Sequence, residues 1–134
     1  MISAVDSSVL FDIVKGSDFA QASLAALSDA HQRGVVCICA PVVAELGRYF
    51  PDAKLMRAFF ADAGIQYSEI SLDAALAAAK CMNEYAANNG ARNRVAADFL
   101  IGAHAKLQAD VLVTRDAGFH REYFKGLKII NPTA

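Results

Sequence analysis

Short apolar runs alternate along the chain with longer stretches whose apolar positions recur every three or four residues, the pattern of strands laid between helices in a layered α/β domain. Ile2 to Val5 reads as a strand that meets Asp6-Ser7-Ser8, where a serine can cap a helix beginning near Val9. Phe19 to Gln32 has helical period and closes at Gly34, and Val35 to Ala40 is apolar throughout, as a strand covered on both faces must be. Pro41 supplies a first helical residue for Val42 to Phe50, and an amphipathic helix over Asp52 to Ala63 stops at Gly64. A weaker strand follows around Ile65 to Ile70. Leu72 to Ala87 holds seven alanines in sixteen residues and is strongly helical. The helix from about Arg94 to Gln108 can be capped by Asn93, and Val111 to Val113 is an apolar strand ending at Thr114-Arg115-Asp116. A short helix from Phe119 to Phe124 and a strand from Leu127 to Ile130 complete the pattern.

No linker, repeat or low-complexity segment interrupts the 134 residues, of which 55% are hydrophobic. The expectation is one α/β domain over residues 1–134, a doubly wound sandwich of about five mostly parallel strands flanked by helices. The longest nearly apolar stretch, Val35 to Ala44, ends at Glu45, well short of the ~20 residues a membrane span needs. The first charge is Asp6, so no basic segment precedes an apolar one, and the reading is a soluble cytoplasmic protein without membrane contact. Thirteen basic against fourteen acidic residues give a net charge of −1, which excludes a polycation that binds nucleic acid through bulk charge. Any such contact must be local. Cys37, Cys39 and Cys81 form neither a zinc spacing nor a disulfide framework and read as buried thiols.

In an open parallel sheet, ligands bind beyond the carboxyl ends of the strands, near the point where strand order reverses. Two of the clearest strands run into an aspartate there, Asp6 and Asp116, and a third leads into a helix carrying Glu45 about one turn in. Asp98 is the fourth acid. Ala96, Ala97, Phe99, Leu100, Ile101 and Ala103 surround it, so it faces either a salt bridge, for which Arg94 is four residues away, or a purpose; Gly102 would leave the face open beyond it. Two carboxylates about 4 Å apart repel by roughly 4 kcal/mol at an effective dielectric of 20, so four together need a cation. With oxygen donors only and no converging His or Cys, the preference is Mg²⁺ or Mn²⁺. His104 reads as a packed or surface side chain, and His31 and His120 as solvated ones.

At these residues the chain resembles the PIN-domain ribonucleases, in particular the VapC-type toxins of bacterial toxin–antitoxin pairs. The resemblance is carried in order by Val5-Asp6-Ser7-Ser8, Pro41-Val42-Val43-Ala44-Glu45-Leu46, Ala97-Asp98-Phe99-Leu100-Ile101-Gly102-Ala103-His104-Ala105 and Leu112-Val113-Thr114-Arg115-Asp116-Ala117-Gly118-Phe119. It implies one acidic pocket with Asp6, Glu45, Asp98 and Asp116 as catalytic residues. Asp6, Asp98 and Asp116 would hold a Mg²⁺ or Mn²⁺ ion, with Ser7 and Thr114 as supporting hydroxyls. It implies endonucleolytic cleavage of transfer or ribosomal RNA by water, a cognate antitoxin lying in an apolar groove, and a homodimer. Arg94, Arg115, Arg48 and Lys15 lie near the pocket acids in sequence and are candidates for holding RNA phosphates. Many relatives carry a further acid where this chain has Gly118, so a second metal site would lack that ligand.

Three other readings use similar features. A receiver-like phosphoacceptor module also gathers aspartates around Mg²⁺, but expects an acceptor aspartate after a middle strand and a lysine after a late one; here those places hold Ala40-Pro41 and Thr114-Arg115. A metal-dependent phosphatase usually wants a second aspartate two residues after the first, where Ser8 stands. A catalytically silent PIN-like binding domain would not need all four acids.

Overall fold

The computed structural model describes residues 1–88 and 94–134. Its strands are β1 (Ile2–Val5), β2 (Val35–Ile38), β3 (Ile65–Tyr67), β4 (Val111–Val113) and β5 (Lys128–Ile130), and among the described residues they form one sheet in the order β3-β2-β1-β4-β5. Every pairing is parallel, with Ala4 opposite Cys37 on one side and Leu112 on the other. Burial follows position: β4 is buried at all three residues, β1 and β2 after their first, whereas β3 and β5 are largely open. Continuous apolar runs therefore mark the strands covered on both faces.

The helices are α1 (Ser7–Lys15), α2 (Ala20–Arg33), α3 (Ala40–Leu46), α4 (Ala53–Asp62), α5 (Leu72–Ala87), α6 (Ala96–Gln108) and α7 (Ala117–Tyr123), with a 3-10 turn at Gly47–Tyr49 after α3. Crossovers between parallel strands are almost always right-handed. The β1-β2-β3 half and the β4-β5 half run in opposite directions from the centre, so their helices cover opposite faces. One apolar core is built on the sheet around Val5, Leu10, Ile38, Val42, Ile101 and Leu112. A second joins α5, α6 and α7 through Ala74, Ala78, Phe99, Ala103, Phe119 and Phe124.

Several boundaries differ from expectation for identifiable reasons. Helix α1 starts at Ser7 rather than Val9, because Asp6 has extended N-cap backbone while its carboxylate bonds elsewhere instead of capping. Helix α3 starts at Ala40, which puts Pro41 in its first turn, and the chain tightens into the 3-10 turn before Phe50. Helix α6 starts at Ala96 behind Val95, and the expected cap Asn93 lies outside the described residues. Gly102 leaves no open face: a Cβ there would stand 2.3 Å from the ring of Phe124, which uses the space to pack α7 against α6.

An ion pair with a buried acid ties the middle of α1 to the end of β4. Asp12, 3% exposed, accepts from Arg115 Nε at 2.6 Å and Nη2 at 3.0 Å, and from the hydroxyls of Ser17 at 2.8 Å and Ser23 at 2.9 Å. Burial alone would raise the Asp12 carboxyl, but these donors and the charge of Arg115 outweigh it and hold it below the ordinary value. The Arg115 guanidinium also lies 4.4 Å from the ring centroid of the partly exposed Phe19.

Two outcomes are expected. Gly102→Ala forces the buried Phe124 ring aside and lowers the unfolding free energy by about 1–3 kcal/mol in urea titrations. Asp12→Ala removes several hydrogen bonds involving charge and costs about 1.5–3 kcal/mol at pH 6. Because the folded carboxyl is depressed, that advantage of the wild type is complete above the unfolded value of ~3.9 and disappears as pH falls below it.

Candidate active site

Strand order reverses between β1 and β4, and the crevice beyond their carboxyl ends is where an open α/β sheet receives ligands. Asp6 closes β1 at this point, its N–H donating to Val113 O at 2.9 Å. Its carboxylate, 7% exposed, accepts from Thr114 Oγ1 at 2.6 Å and Ser8 Oγ at 3.1 Å, both on Oδ2. Each hydroxyl is oriented by a backbone donor: Asp116 N–H reaches Thr114 Oγ1 at 2.9 Å, and Arg115 N–H reaches Ser8 Oγ at 3.2 Å. Two hydroxyl relays thus fix the loop after β4 against the loop after β1.

Ser7 Oγ donates to Glu45 Oε1 at 2.7 Å, with Asp6 Oδ1 a more distant 3.4 Å away, so its one hydrogen serves Glu45. This bond links the first turn of α1 to the last turns of α3. Asp98 stands in the first turn of α6, where Oδ2 accepts from Val95 N–H at 3.2 Å. Val95 offers no side-chain acceptor in return, so only the acid's half of a capping box exists.

Two of the four acids respond to the charge of the others. Glu45 is pushed above the ordinary carboxylate range by burial, with Asp6 and Asp98 adding to it and Ser7 opposing it. Asp98 is raised by burial, with Asp6 and Asp116 adding to it, against the pull of the Val95 N–H and Arg94. In direct contacts the acids fall into two pairs: Ser7 stands between Asp6 and Glu45, and Arg94 between Asp116 and Asp98. As they stand, no three His, Cys, Asp or Glu side chains among the described residues are close enough to ligate one ion.

Positive charge reaches the acids through Arg94. Its guanidinium forms a two-pronged pair with Asp116, Nη1 to Oδ2 and Nη2 to Oδ1, the latter at 3.1 Å, and Nη1 lies 3.9 Å from Asp98 Oδ2. The same guanidinium rests 4.2 Å from the centroid of Phe119. The expected Arg94–Asp98 bridge is thus the longer contact, because Arg94 precedes the helix instead of lying on its face. Lys15 and Arg48, both exposed, flank the Tyr49 ring at 5.8 Å each, and Tyr49 packs edge-on against Phe11 at 5.3 Å. Arg115, also a candidate for phosphate contact, is engaged with Asp12.

The histidines divide differently from expectation. His104 is buried, with Nε2 2.9 Å from Ser68 Oγ, and burial lowers its pKa. His31 is exposed and bonds Ala63 O at 2.7 Å. His120 is not solvated: it is 1% exposed, lies between the rings of Phe119 and Phe124 at 5.1 and 5.9 Å, and Nδ1 has no hydrogen-bond partner among the described residues. Burial holds its imidazole below the ordinary value against the pull of Asp6, Asp116 and Asp98. Residues near the site that the sequence did not single out are Asp12, the anchor of Arg115, and Tyr49 and Phe119, the aromatic seats of the cations.

Among the described residues no helix is long and apolar enough to cross a membrane, and none of the three cysteines is in a disulfide, with Cys37 and Cys39 buried and Cys81 half-buried. A search of curated protein sequences finds no match. Solved structures do match over nearly the whole chain. VapBC2 from Rickettsia felis bound to a DNA fragment from its promoter superposes with a TM-score of 0.73 at 19% identity, covering 98% of each chain. VapBC-1 from nontypeable Haemophilus influenzae gives 0.72 at 16% identity, covering 100% of each. A toxin–antitoxin complex from Klebsiella pneumoniae gives 0.63 at 21% identity and 97% of each. These likenesses establish the fold. The model of the PIN domain family matches residues 4–125, which span β1 through α7 and include all four acids, and the chain belongs to that family.

Proposed function

We propose that this PIN domain is a metal-dependent endoribonuclease of the VapC toxin type, acting with Mg²⁺ or Mn²⁺ on cellular RNA such as transfer or ribosomal RNA. The observation that carries the reading is that Asp6 and Asp98 raise Glu45, and Asp6 and Asp116 raise Asp98, beside the switch point of a PIN sheet. The donor set is all oxygen, which fits a hard divalent ion and no softer one. Burial and like charge already raise two of the four carboxyls, so the pocket gains from any cation that joins it.

In this reading Asp6, Asp98 and Asp116 hold the ion. Bound there, it supplies charge neutralisation at the scissile phosphate and an acidified water for in-line attack. Glu45 orients the attacking water or completes the ion's shell, and burial raises its carboxyl above the ordinary range. Ser7 fixes the Glu45 carboxylate, and Thr114 with Ser8 fixes Asp6. Lys15 and Arg48, spread over Tyr49, offer a cationic and aromatic surface for the RNA backbone and bases, and Arg94 offers charge at the pocket itself. Arg115 positions the β4 loop through Asp12. Water as nucleophile leaves 5′-phosphate and 3′-hydroxyl ends.

The partner in this reading is a cognate antitoxin, supported by the VapBC and toxin–antitoxin complexes whose fold the chain shares. A groove of about 420 Å³ lined by Val43, Ala53, Met56, Arg57, Phe60 and Tyr67 offers an apolar channel with one cation, suited to an apolar and acidic segment. A homodimer and a cytoplasmic setting belong to the same proposal.

The test is cleavage of total cellular RNA by the whole protein with Mn²⁺ or Mg²⁺, with and without EDTA. Wild type is expected to cleave only with the ion, and Asp98→Asn to lose about 100-fold or more in rate. End-labelling is expected to find 5′-phosphates. Equal cleavage by wild type and Asp98→Asn overturns the proposal.

A further inference from the structure

The pocket contains its own cation. Both oxygens of Asp116 are taken by Arg94 in a fork-to-fork pair, the geometry in which a guanidinium satisfies a carboxylate most completely. The same Nη1 is 3.9 Å from Asp98, so one arginine bridges two of the three acids assigned above to the ion. Arg94 stands outside α6, ahead of an extended Val95, and its side chain can swing without unwinding a helical turn. The face of Phe119 at 4.2 Å supports the guanidinium on its other side. The acid of this pair is open to solvent, 35% for the Asp116 side chain against 4% for Asp12 in the Arg115–Asp12 pair, while the two arginines are similarly half-open at 26% and 30%.

We infer that Arg94 and a divalent cation are alternative partners of Asp116, so that entry of the ion and release of the guanidinium are a single exchange. The inference rests on the reading of the pocket as a metal centre and adds a residue that sets its affinity. The physical reason is charge and geometry together. A divalent ion on Asp98 and Asp116 would stand beside a full positive charge, and the carboxylate edge it needs is the one Arg94 occupies. Release costs the fork, so the ion binds more weakly than the acids alone would allow. While no ion competes, the guanidinium relieves the repulsion among the acids. Once displaced, it stays near the pocket mouth, where a phosphate is the natural next partner.

Mn²⁺ titration of the full chain by calorimetry separates the outcomes. Arg94→Ala is expected to bind Mn²⁺ about tenfold more tightly than wild type or better, and Arg94→Lys, which keeps charge but loses the fork, to fall between them. In thermal melts without added ion, Arg94→Ala is expected to unfold at a lower temperature than wild type, and saturating Mn²⁺ to close that gap. Equal or weaker Mn²⁺ binding by Arg94→Ala overturns the exchange while leaving the metal centre intact. No Mn²⁺ binding by wild type or either variant, or undiminished binding by Asp98→Asn, overturns the metal centre itself and the exchange with it. A crystal structure of wild type with Mn²⁺ decides the matter independently of any variant's folding: Arg94 is expected off Asp116, and a fork still closed beside the bound ion overturns the exchange.

Discussion

The Asp6 carboxylate is the constraint on which the site depends. It sits where the parallel sheet changes direction, almost removed from solvent, and is tolerable there because Thr114 and Ser8 donate to it. Those hydroxyls are in turn held by the backbone N–H groups of Asp116 and Arg115, so satisfying one buried charge also fixes the loop that carries another acid. The loops after β1 and β4 thereby become one rigid piece. Glu45 joins it through Ser7, the residue next to Asp6. Three acids from three segments are positioned by hydroxyls whose first requirement is to compensate burial.

Charge crowding follows from that positioning. Burial and neighbouring carboxylates hold Glu45 and Asp98 above their ordinary values, which means that the folded chain carries an electrostatic cost at neutral pH. Such cost recurs at binding and catalytic sites, because the groups that receive a cation must be assembled before it arrives. Arg94 offsets part of it from within the chain. A pocket satisfied entirely by its own arginine would gain little from an ion, whereas one with no arginine would strain the fold; a pair half-open to solvent lies between these limits.

Much of this was legible in the sequence, for reasons that differ by residue. Strands buried on both faces announce themselves as unbroken apolar runs, and Leu72–Ala87 was read to the residue because a run of alanines ends in asparagine. Asp98 stood out because an acid amid apolar helix positions requires a partner. Strand order was not legible, since strands of three or four residues carry too little pattern to fix their neighbours. Asp12 escaped notice because its partner Arg115 is 103 positions away. Gly102 was misread because a glycine can mark an open face or a closely packed one, and only the placement of Phe124 decides. His120 was misread because α7 is too short for its polar residues to define an outer face.

The two arginines beside the β4 loop illustrate how similar pairings take different tasks. Arg115 meets an aspartate that is 4% exposed on its side chain and already bonded to two serines, so every contact of that carboxylate is committed. Removing Arg115 leaves a buried carboxylate without its cation, which makes the pair a fixture of the fold. Arg94 meets an aspartate at the rim whose only side-chain partner among the hydrogen bonds described is Arg94 itself, with water at hand to solvate both groups when they part. Water lowers the cost of separating Arg94 from Asp116, whereas freeing Asp12 would strand a buried carboxylate. The difference between the two pairs therefore lies in the aspartate: a carboxylate that is to exchange an arginine for a cation has to sit where Asp116 does, open to water, and not where Asp12 does, buried and bonded to two serines.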